Sequence, residues 1–437
     1  MRKMIRVKRV ALVLGIVLVS ALALIGILSI TRGTPVKAVV AIGDREGPPA
    51  VTDSLFVQSM ELYTGLHMSR GNAARQMLNG NGTYPQLWKD LRSAKRTITV
   101  QMYYSQPGAV ADTMAEVLKE RARAGVRVLF VLDAFGSQNL TQEWAEGLRA
   151  AGVELELLRE LHWYSLHNAG DRSHVRVVVI DGEIGYTGGF GLADYWLGDG
   201  RRKDQWRETN VRFEGPAVMG LQAAFAAAWA ECTGELISGD MFFPKKAFKP
   251  TEGGVTAGLF FSSPTTGSTP AERFIALSIA AARKTLFVAN SYFVPDDDFR
   301  RLLCGAAKRG VDVRILVPCG DRTDVPLTYL AGRARYGELM DAGVRIFEYE
   351  KAVLHAKTIV ADGHVSVIGS SNLDFRSFRF NAECNAVVFD DGLGEALAAA
   401  FEQDLRHATE VRQPAWGRRG ELHRALDRAA GVLTPFL

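Results

Sequence analysis

Cysteine is scarce in this chain of 437 residues, and what there is follows no metal-binding pattern. The four cysteines are scattered and include no Cys-x-x-Cys pair: Cys232, Cys304, Cys319 and Cys384. Zinc ribbons and zinc fingers need closely spaced pairs of this kind, and small disulfide-stabilised folds need a denser set of cysteines. The sequence therefore indicates neither a zinc site nor a disulfide framework.

An excess of charge of one sign is also lacking. The formal net charge is +4, and no segment carries a long basic stripe. Domains that bind nucleic acids usually concentrate Lys and Arg on one surface, because phosphate contacts dominate their affinity. We therefore expect no nucleic-acid partner, although the mild positive charge favours anionic lipid headgroups.

Charged residues are absent altogether from Val10 to Ile30. A helix needs about 20 apolar residues to cross a bilayer, which this run provides. It is preceded by five basic residues, Arg2, Lys3, Arg6, Lys8 and Arg9, and fewer follow it. The distribution predicts a single-pass anchor over residues 10–30 in the cell membrane, with a cytoplasmic N-terminus and the remainder outside. A cleaved signal peptide is the alternative.

Two segments share a pattern of histidine, basic residue, aspartate and glycine. The downstream copy consists of His355, Lys357, Asp362 and Gly369. The upstream copy repeats its offsets with His174, Arg176, Asp181 and Gly188. One His-x-Lys triplet is weak evidence, but two copies with the same three offsets indicate a shared chemistry.

The residue types in this pattern suit attack on a phosphate ester. On an extended strand His355 and Lys357 point to the same face, since side chains alternate along a strand. A neutral imidazole can act as nucleophile or proton donor, and a fixed cation can stabilise the charge that develops on the phosphate oxygens. The turn at residues 369–372 adds the Ser370 hydroxyl and the Asn372 amide.

Similar elements precede both motifs, which indicates an internal repeat. In the first half, strands are predicted over residues 97–104, 126–133 and 153–158, with helices over 84–94, 109–124 and 140–151. In the second half, strands are predicted over 285–292, 311–317 and 344–349, with helices over 272–282, 297–309 and 328–342. Alternating strands and helices predict an α/β fold with two mixed, mostly parallel sheets flanked by helices.

The chain divides by composition into five segments. They are the anchor (10–30), a linker rich in Gly and Pro (31–68), a first repeat (69–240), a second repeat (256–411) and a tail (412–437). Within the first repeat, Asn79-Gly80-Asn81-Gly82 predicts a hairpin turn. The tail has apolar residues at helical spacing, typical of an amphipathic membrane-surface helix or of one packed on the globular body.

The doubled pattern resembles the phospholipase D superfamily, and its details are most similar to bacterial cardiolipin synthases. The resemblance runs from about Gly71 to the C-terminus. It implies two pseudo-symmetric repeats whose motifs meet at one site, where one histidine forms a phosphohistidine and the other is general acid and base. The matching residues are His174, Asp181, His355, Lys357, Asp362, Ser370 and Asn372, with Glu208 and Glu383 as acidic residues that orient the motif histidines.

Two departures from the family pattern fall in the first half. Arg176 stands where the family has Lys, and Gly191 where it has Asn. Arg is a planar fork rather than a compact ammonium, so this exchange is not neutral. Analogy makes His174 the nucleophile, whereas the intact second motif favours His355. The two motif aspartates are expected to hold the histidines or the basic residues in place.

The resemblance predicts a phosphatidyltransferase that converts two phosphatidylglycerol molecules into cardiolipin and glycerol, with no metal or other cofactor. Phospholipase D-type hydrolysis and a lipid-binding homologue with a decayed site are the alternatives. The segment His162–His167 is interpreted either as a membrane-facing aromatic rim or as a buried aromatic patch. Residues 292–296 are predicted to line the substrate pocket.

Overall fold

The computed structural model describes residues 12–24, 35–39, 48–160, 163, 170–264 and 268–434. Residues 12–24 form helix α1. The next elements are α2 Ser54–Thr64, β1 Ser69–Leu78, α3 Asn79–Ser93, β2 Thr97–Met102, α4 Ala109–Arg123, β3 Arg127–Asp133, α5 Gln142–Ala150 and β4 Glu154–Leu158. The first half ends with β5 Arg172–Ser173, β6 Val177–Ile180, β7 Ile184–Gly188, β8 Trp206–Arg207, β9 Thr209–Glu214 and α6 Val218–Thr233.

The second half repeats this order. It starts with β10 Val255–Ser262, α7 Pro270–Ala281, β11 Thr285–Ala289, α8 Asp297–Lys308, β12 Asp312–Pro318, α9 Pro326–Asp341 and β13 Arg345–Tyr349. It continues with β14 Val353–Leu354, β15 Thr358–Ala361, β16 Val365–Gly369, α10 Phe375–Arg379, β17 Asn381–Phe389, α11 Asp391–Leu405 and β18 Ala408–Val411. Helices α12 Gln413–Gly417 and α13 Glu421–Val432 follow.

One 16-stranded sheet runs through both halves in the order β18-β13-β12-β11-β15-β16-β17-β10-β1-β9-β7-β6-β2-β3-β4, with β5 paired to β17. The antiparallel β1–β10 pair lies at the centre of the sheet. On either side of it the equivalent strands of the two halves follow in the same order, β9-β7-β6-β2-β3-β4 and β17-β16-β15-β11-β12-β13. This correspondence is a pseudo-twofold relation between the repeats. Strands β8 and β14 form a separate two-stranded sheet.

The prediction of two mostly parallel sheets is wrong in two respects. The sheet is continuous, because β1 and β10 join the halves. Parallel pairing is confined within this sheet to β2-β3-β4, β11-β12-β13 and the short β5–β17 pair. The physical reason is the predicted Asp-Gly turn, in which Asp181 and Gly182 have φ of 54° and 69° and Asp362 and Gly363 of 53° and 65°. Two positive φ values form a tight turn, closed by the N–H of Glu183 on Ile180 O and of His364 on Ala361 O, and such a turn joins antiparallel strands.

The Asn-Gly repeat at residues 79–82 starts helix α3, so the predicted hairpin turn is wrong. Asn79 donates from Nδ2 to the carbonyl of Asp199 and accepts the N–H of Glu208 at Oδ1. These bonds fix the corner between β1 and α3. The Asn79 side chain therefore binds the backbone at residues 199 and 208 and does not form a tight turn.

Part of the segment predicted as a linker is helical and packed. Asp53 caps α2 by accepting the N–H of Leu55. Phe56 and Met60 of α2 are fully buried in a core that also holds Phe274 of α7. Burial of these side chains against the second repeat stabilises α2 on the globular body.

No helix among the described residues is long and apolar enough to cross a membrane. Helix α1 covers the middle of the predicted anchor, and its leucines and valines are exposed, with Leu12 at 64% and Val19 at 66%. The two ends of the predicted anchor, residues 10–11 and 25–30, lie outside the described residues.

The predicted C-terminal helix packs on the globular body. Ala430 of α13 is buried with Ala331 of α9, and Arg335 donates to the carbonyl of Gly431. Asp427 is buried and pairs with Arg419. The tail is therefore anchored to the second repeat through a face that contains a buried ion pair.

Candidate active site

Each motif histidine directly follows a short strand that pairs with a strand of the other half. β14 ends just before His355 and pairs with β8, and the His355 N–H donates to the last carbonyl of β8 at 2.8 Å. β5 ends just before His174 and pairs with β17, and the His174 N–H donates to Ala382 O at 2.8 Å. The residue that follows each accepting carbonyl is a glutamate, Glu208 after Arg207 and Glu383 after Ala382. The register therefore places each histidine beside a glutamate of the opposite half.

Each histidine uses Nδ1 to contact this glutamate. His355 Nδ1 lies 2.5 Å from Glu208 Oε2, and His174 Nδ1 lies 3.0 Å from Glu383 Oε2. Both glutamates are fully buried. Because a carboxylate accepts, Nδ1 carries the proton and the lone pair of a neutral ring lies at Nε2. Glu208 and Glu383 thus have the orienting position that the resemblance implies for them.

Both imidazoles are neutral at pH 7. Burial, followed by the Arg176 cation, lowers the pKa of His174 to about 4. Burial, followed by the Lys357 cation, lowers the pKa of His355 well below its ordinary value. Desolvation disfavours the charged ring more than the glutamates favour it. A neutral ring keeps a lone pair at Nε2, as a nucleophile or base requires.

The two basic residues of the motifs are buried beside the histidines. Lys357 Nζ donates to His355 O at 2.6 Å and to Ser291 Oγ at 2.9 Å. Arg176 Nη1 donates to His174 O at 3.0 Å, and its Nη2 lies 3.0 Å from His174 Nε2. Both cations therefore lie where they can neutralise an anionic phosphate between the rings.

The two motif aspartates do not reach the site, which corrects their predicted role. Asp181 accepts the backbone N–H groups of residues 95–97, at the start of β2. Asp362 accepts those of residues 283–285, at the start of β11. Both lie in the hairpin turns beyond β6 and β15, at the far ends of these strands from the histidines. Their function is to fasten each turn to a neighbouring strand.

In the second half, Ser370 and Asn372 lie on the turn predicted to assist the site. The Ser370 hydroxyl donates to Glu383 and accepts the N–H of Cys384. Asn372 is held through its N–H, which donates to Ser377 Oγ, and its side chain lines the cavity. Ser370 thus fixes the glutamate, while Asn372 is available to a ligand.

In the first half, glycines stand at the positions equivalent to Ser370 and Asn372, and Glu208 and Trp196 lie where their side chains would be. A Cβ on Gly189 would come within 2.3 Å of Glu208, and one on Gly191 within 2.8 Å of the Trp196 ring. Trp196 Nε1 donates to Glu208 Oε2 at 3.3 Å, which replaces the contact that Ser370 makes in the other half. The departure at Gly191 is therefore matched by a tryptophan that packs into the vacated volume.

Both histidines line one cavity of about 300 Å³ between the halves. Its wall is aromatic on several sides and carries charge of both signs, with Tyr103, Tyr104, Trp206, Tyr292, Asp324 and Arg376 among the lining residues. Of residues 292–296, only Tyr292 lines this cavity, and its hydroxyl donates to Asp324 at 2.5 Å. The prediction is wrong for Phe293 and Val294, which are buried in the hydrophobic core, and for Asp296, which caps α8. Within the described ranges, no group of His, Cys, Asp and Glu has the arrangement of a metal site.

Several residues of the site were not predicted from the sequence: Tyr103 and Trp196 line the cavity, and Ser291 holds Lys357. Tyr103 follows β2, and Ser291 follows the equivalent strand β11, so both lie beyond the carboxyl ends of strands that precede the motifs. Their equivalent positions in the repeat could have indicated them. Trp196 lies in a connecting segment without such a signal. Of the aromatic segment at residues 162–167, only Trp163 lies within the described residues.

Comparison with known proteins gives consistent matches. Residues 87–229 and 275–405 match the family described as cardiolipin synthase, PLD-like domain. A cardiolipin synthase of Geobacillus kaustophilus is 35% identical over 363 residues, which cover 83% of this chain and 72% of that protein. A cardiolipin synthase of Alkalihalophilus pseudofirmus is 32% identical, covering 85% and 73%.

Two solved structures share the fold at low sequence identity. Phosphatidylserine synthase of Haemophilus influenzae aligns with a TM-score of 0.66 and 13% identity, over 87% of this chain and 100% of that one. Polyphosphate kinase of Porphyromonas gingivalis aligns with a TM-score of 0.53 and 12% identity, over 89% and 57%. At these identities the likeness concerns the fold alone.

Proposed function

The chain belongs to the family of cardiolipin synthases with phospholipase D-like domains, and from that premise we propose that it transfers a phosphatidyl group from one phosphatidylglycerol to another. The products are cardiolipin and glycerol. The observation that carries this proposal is the pair of neutral imidazoles facing one cavity, each oriented by a buried glutamate of the other half. Such a pair supplies a nucleophile and a proton carrier on the same site.

The reaction proceeds in two displacements at phosphorus. The other histidine first takes a proton from water at Nε2, which the anionic phosphate favours once it binds beside the ring. One histidine then attacks the phosphodiester and forms a phosphohistidine, while glycerol leaves with the proton from the other. The second histidine then takes the proton of the acceptor hydroxyl, whose oxygen displaces the first histidine. Splitting one displacement in this way lowers the barrier of each step. Lys357 and Arg176 stabilise the charge on the phosphate oxygens in both steps.

The cavity supports a phospholipid as substrate. The aromatic rings of Tyr103, Tyr104 and Trp206 offer apolar contact, while Arg376 adds positive charge beside the buried cations. Asp324 and Tyr292 present oxygen atoms that suit the hydroxyl groups of a glycerol headgroup. The cavity therefore offers positive charge to the phosphate and hydrogen-bonding oxygen atoms to the glycerol of a phosphatidylglycerol headgroup.

The purified full-length chain in detergent, given phosphatidylglycerol alone, tests this proposal. We expect cardiolipin and glycerol in equal amounts. Glu208→Gln should lower turnover by roughly 10²–10⁴-fold, because it removes the carboxylate that orients His355. Glu383→Gln is the matched variant on the other histidine.

Two results would contradict the proposal in different ways. Phosphatidic acid without cardiolipin would identify a hydrolase of the phospholipase D type. No product together with specific binding of anionic lipid would identify a lipid-binding homologue.

We also propose that residues 10–30 anchor the chain in the cell membrane, with the N-terminus in the cytoplasm and the catalytic part outside. The uncharged run and the exposed apolar side chains of α1 support this. Alkaline carbonate should leave the protein in the membrane fraction, and protease added to spheroplasts should digest the repeats. Release of the protein by carbonate would contradict the anchor. Protection of the repeats from protease would contradict the proposed orientation and place them in the cytoplasm.

A further inference from the structure

Helix α13 packs on the globular body with its apolar face turned outward. The apolar stripe of α13 consists of six exposed residues of the helix and its C-terminal cap: Leu422, Ala425, Leu426, Ala429, Val432 and Leu433. They fall within roughly 120° of the helix circumference. Leu422 and Val432 are 71% and 75% exposed. A surface helix normally turns such a stripe to the core, whereas the described residues leave this one uncovered.

The opposite face of α13 is small and polar, and it fixes the rotation of the helix on the body. Gly431 packs so closely on α9 that a Cβ there would lie 2.9 Å from the Ala334 Cβ. Asp427 is buried and pairs with Arg419, and its Oδ1 lies 3.8 Å from Arg333 Nε. Rolling the helix to cover the stripe would break this pairing and leave buried charge uncompensated. The outward direction of the stripe is therefore part of the folded structure.

Helix α13 lies at the end of the sheet that carries the cavity. Its Ala430 is buried in one cluster with Ala331 of α9 and with Val294. Ala331 lies one helical turn after Thr328, which lines the cavity, and Val294 lies two residues after Tyr292, which also lines it. The apolar stripe and the cavity are therefore neighbouring features of the same end of the molecule.

The chain also enters the globular body at this end. The Val36 N–H donates to Glu272 Oε1 at 2.7 Å, and Glu272 pairs with Arg379, the last residue of α10. Helix α10 lies beside the cavity, because its Arg376 is a lining residue. Val36 follows Ile30, the end of the proposed anchor, by six residues, which span at most about 22 Å. A bilayer that holds the anchor is therefore within reach of the cavity end.

We propose that α13 lies in the surface of a bilayer rich in anionic lipid, with its apolar stripe at the acyl-chain boundary, and that this contact directs the cavity to the membrane. Arg418 and Arg428 are exposed beside the stripe, and Glu421 is the one exposed acidic residue of α13. An apolar face flanked by basic residues is typical of membrane-surface helices. The inference rests on the proposed function only in taking phosphatidylglycerol as the anionic lipid.

Fluorescence quenching in nanodiscs tests this contact. The full-length chain with Cys232→Ser and Cys319→Ser, whose other two cysteines are buried, takes one nitrobenzoxadiazole label on Leu426→Cys. In discs of phosphatidylglycerol and phosphatidylcholine, doxyl lipids should quench this label at least about twofold. Discs of phosphatidylcholine alone should give weaker quenching. An unquenched label would overturn the bilayer contact, and equal quenching in both discs would overturn the preference for anionic lipid.

Leu55 supplies the matched control for the label. It is 54% exposed on α2, against 48% for Leu426. Its neighbour Phe56 contacts Phe389 at a ring-centroid distance of 6.0 Å, and Phe389 pairs with Val365, just after the second Asp-Gly turn. Leu55 therefore lies at the hairpin end of the sheet, away from the cavity. A label on Leu55→Cys should stay unquenched, and equal quenching at both positions would contradict a specific contact of α13.

Replacing two leucines of the stripe separates the bilayer contact from catalysis. The double variant Leu422→Glu/Leu426→Glu changes only exposed side chains, so its stability and its turnover in detergent micelles should be unchanged. With phosphatidylglycerol in vesicles, cardiolipin formation should slow at least about tenfold, because the charged helix no longer enters the bilayer. Leu55→Glu should leave both rates unchanged. Undiminished turnover of the double variant in vesicles would overturn the inference.

The remaining outcomes identify another occupant of the stripe or separate the inference from the function. A lower mass of the double variant than of the natural chain, by light scattering in detergent, would show a second copy on the stripe and overturn the bilayer contact. If the natural chain makes no cardiolipin in micelles while the label on Leu426→Cys is quenched, the function is contradicted and the contact is supported. If it makes cardiolipin and the label is unquenched, the contact is contradicted and the function is supported.

Discussion

Lys357 is a charged residue whose protonation state changes near neutral pH. Its side chain is 3% exposed, and burial lowers its pKa to about 7. Because the pKa is lowered, the ammonium loses its proton as the pH rises through 7, and the charge available to the phosphate falls. We predict that kcat/KM declines about tenfold per pH unit above about pH 7. Initial rates of cardiolipin formation from pH 5 to 9 measure this.

The Lys357→Arg variant provides the control for this pH profile. A guanidinium keeps its proton throughout the range, so the alkaline decline should disappear even though the maximal rate is lower. A natural chain with constant kcat/KM up to pH 9 would show that Lys357 stays charged or does not contribute.

Restoring the family asparagine at position 191 should harm this protein. A Cβ there would lie 2.7 Å from Tyr104 O and 2.8 Å from the Trp196 ring. Gly191→Asn should lower the free energy of unfolding by about 1–3 kcal/mol through overpacking. It should also lower activity, because Trp196 contacts Glu208 and His355.

Chemical denaturation and the cardiolipin assay measure both effects. Gly147→Asn is the matched control, since a Cβ at that exposed helical position meets no atom within 4 Å. Activity above that of the natural chain would show that Gly191 is a defect rather than part of a packed arrangement with Trp196.

At the level of secondary-structure elements, the Asp-Gly hairpins hold the motif strands to their neighbours. Asp362 accepts three backbone N–H groups at the start of β11. Asp362→Ala should lower the free energy of unfolding by roughly 2–3 kcal/mol, because it leaves these donors without a charged acceptor. Urea denaturation measures the loss, and Asp181→Ala should behave alike. Activity per folded molecule should change little.

A catalytic role for these aspartates would give the opposite pattern. Stability would then be nearly unchanged, and turnover would fall by several orders of magnitude in fully folded protein.

The elements that the sequence predicted well are those with a local signal. Helices that end at a glycine and buried apolar strands were located within a few residues, as for α4 and β3. Strand β1 lacks such a signal, because Arg70, Asn72, Arg75 and Gln76 interrupt any apolar alternation. Its place is set by pairing with β9 and β10, which are distant in the sequence. Continuity of the sheet could not be predicted for the same reason.

The two repeats share a hydrophobic core as well as a sheet. One buried cluster contains Val175 and Phe213 from the first repeat and Phe347 and Leu354 from the second. Because this cluster cannot be divided between the repeats, we predict a single unfolding transition for residues 48–434. Far-ultraviolet circular dichroism and tryptophan fluorescence should give coincident urea curves. Two separated transitions would show that the repeats are independent.

At the scale of the whole molecule, the sequence predicted the site better than the sheet. Resemblance to a family, carried by the doubled motif, implied that His174 and His355 meet at one site, and it also indicated Glu208 and Glu383. The sequence could not predict how Arg176 directs its second nitrogen, because that depends on the side-chain geometry inside the cavity. The exchange of Lys for Arg was visible, but its contact with one ring was not.

The crossing of histidines and glutamates between the halves has a consequence for ancestry. A protein with only one such repeat would need a second identical copy to complete either pair, and its two imidazoles would be equivalent. Joining two copies in one polypeptide removes that equivalence. Each repeat can then mutate independently, so His174 can have Arg176 beside it while His355 keeps Lys357.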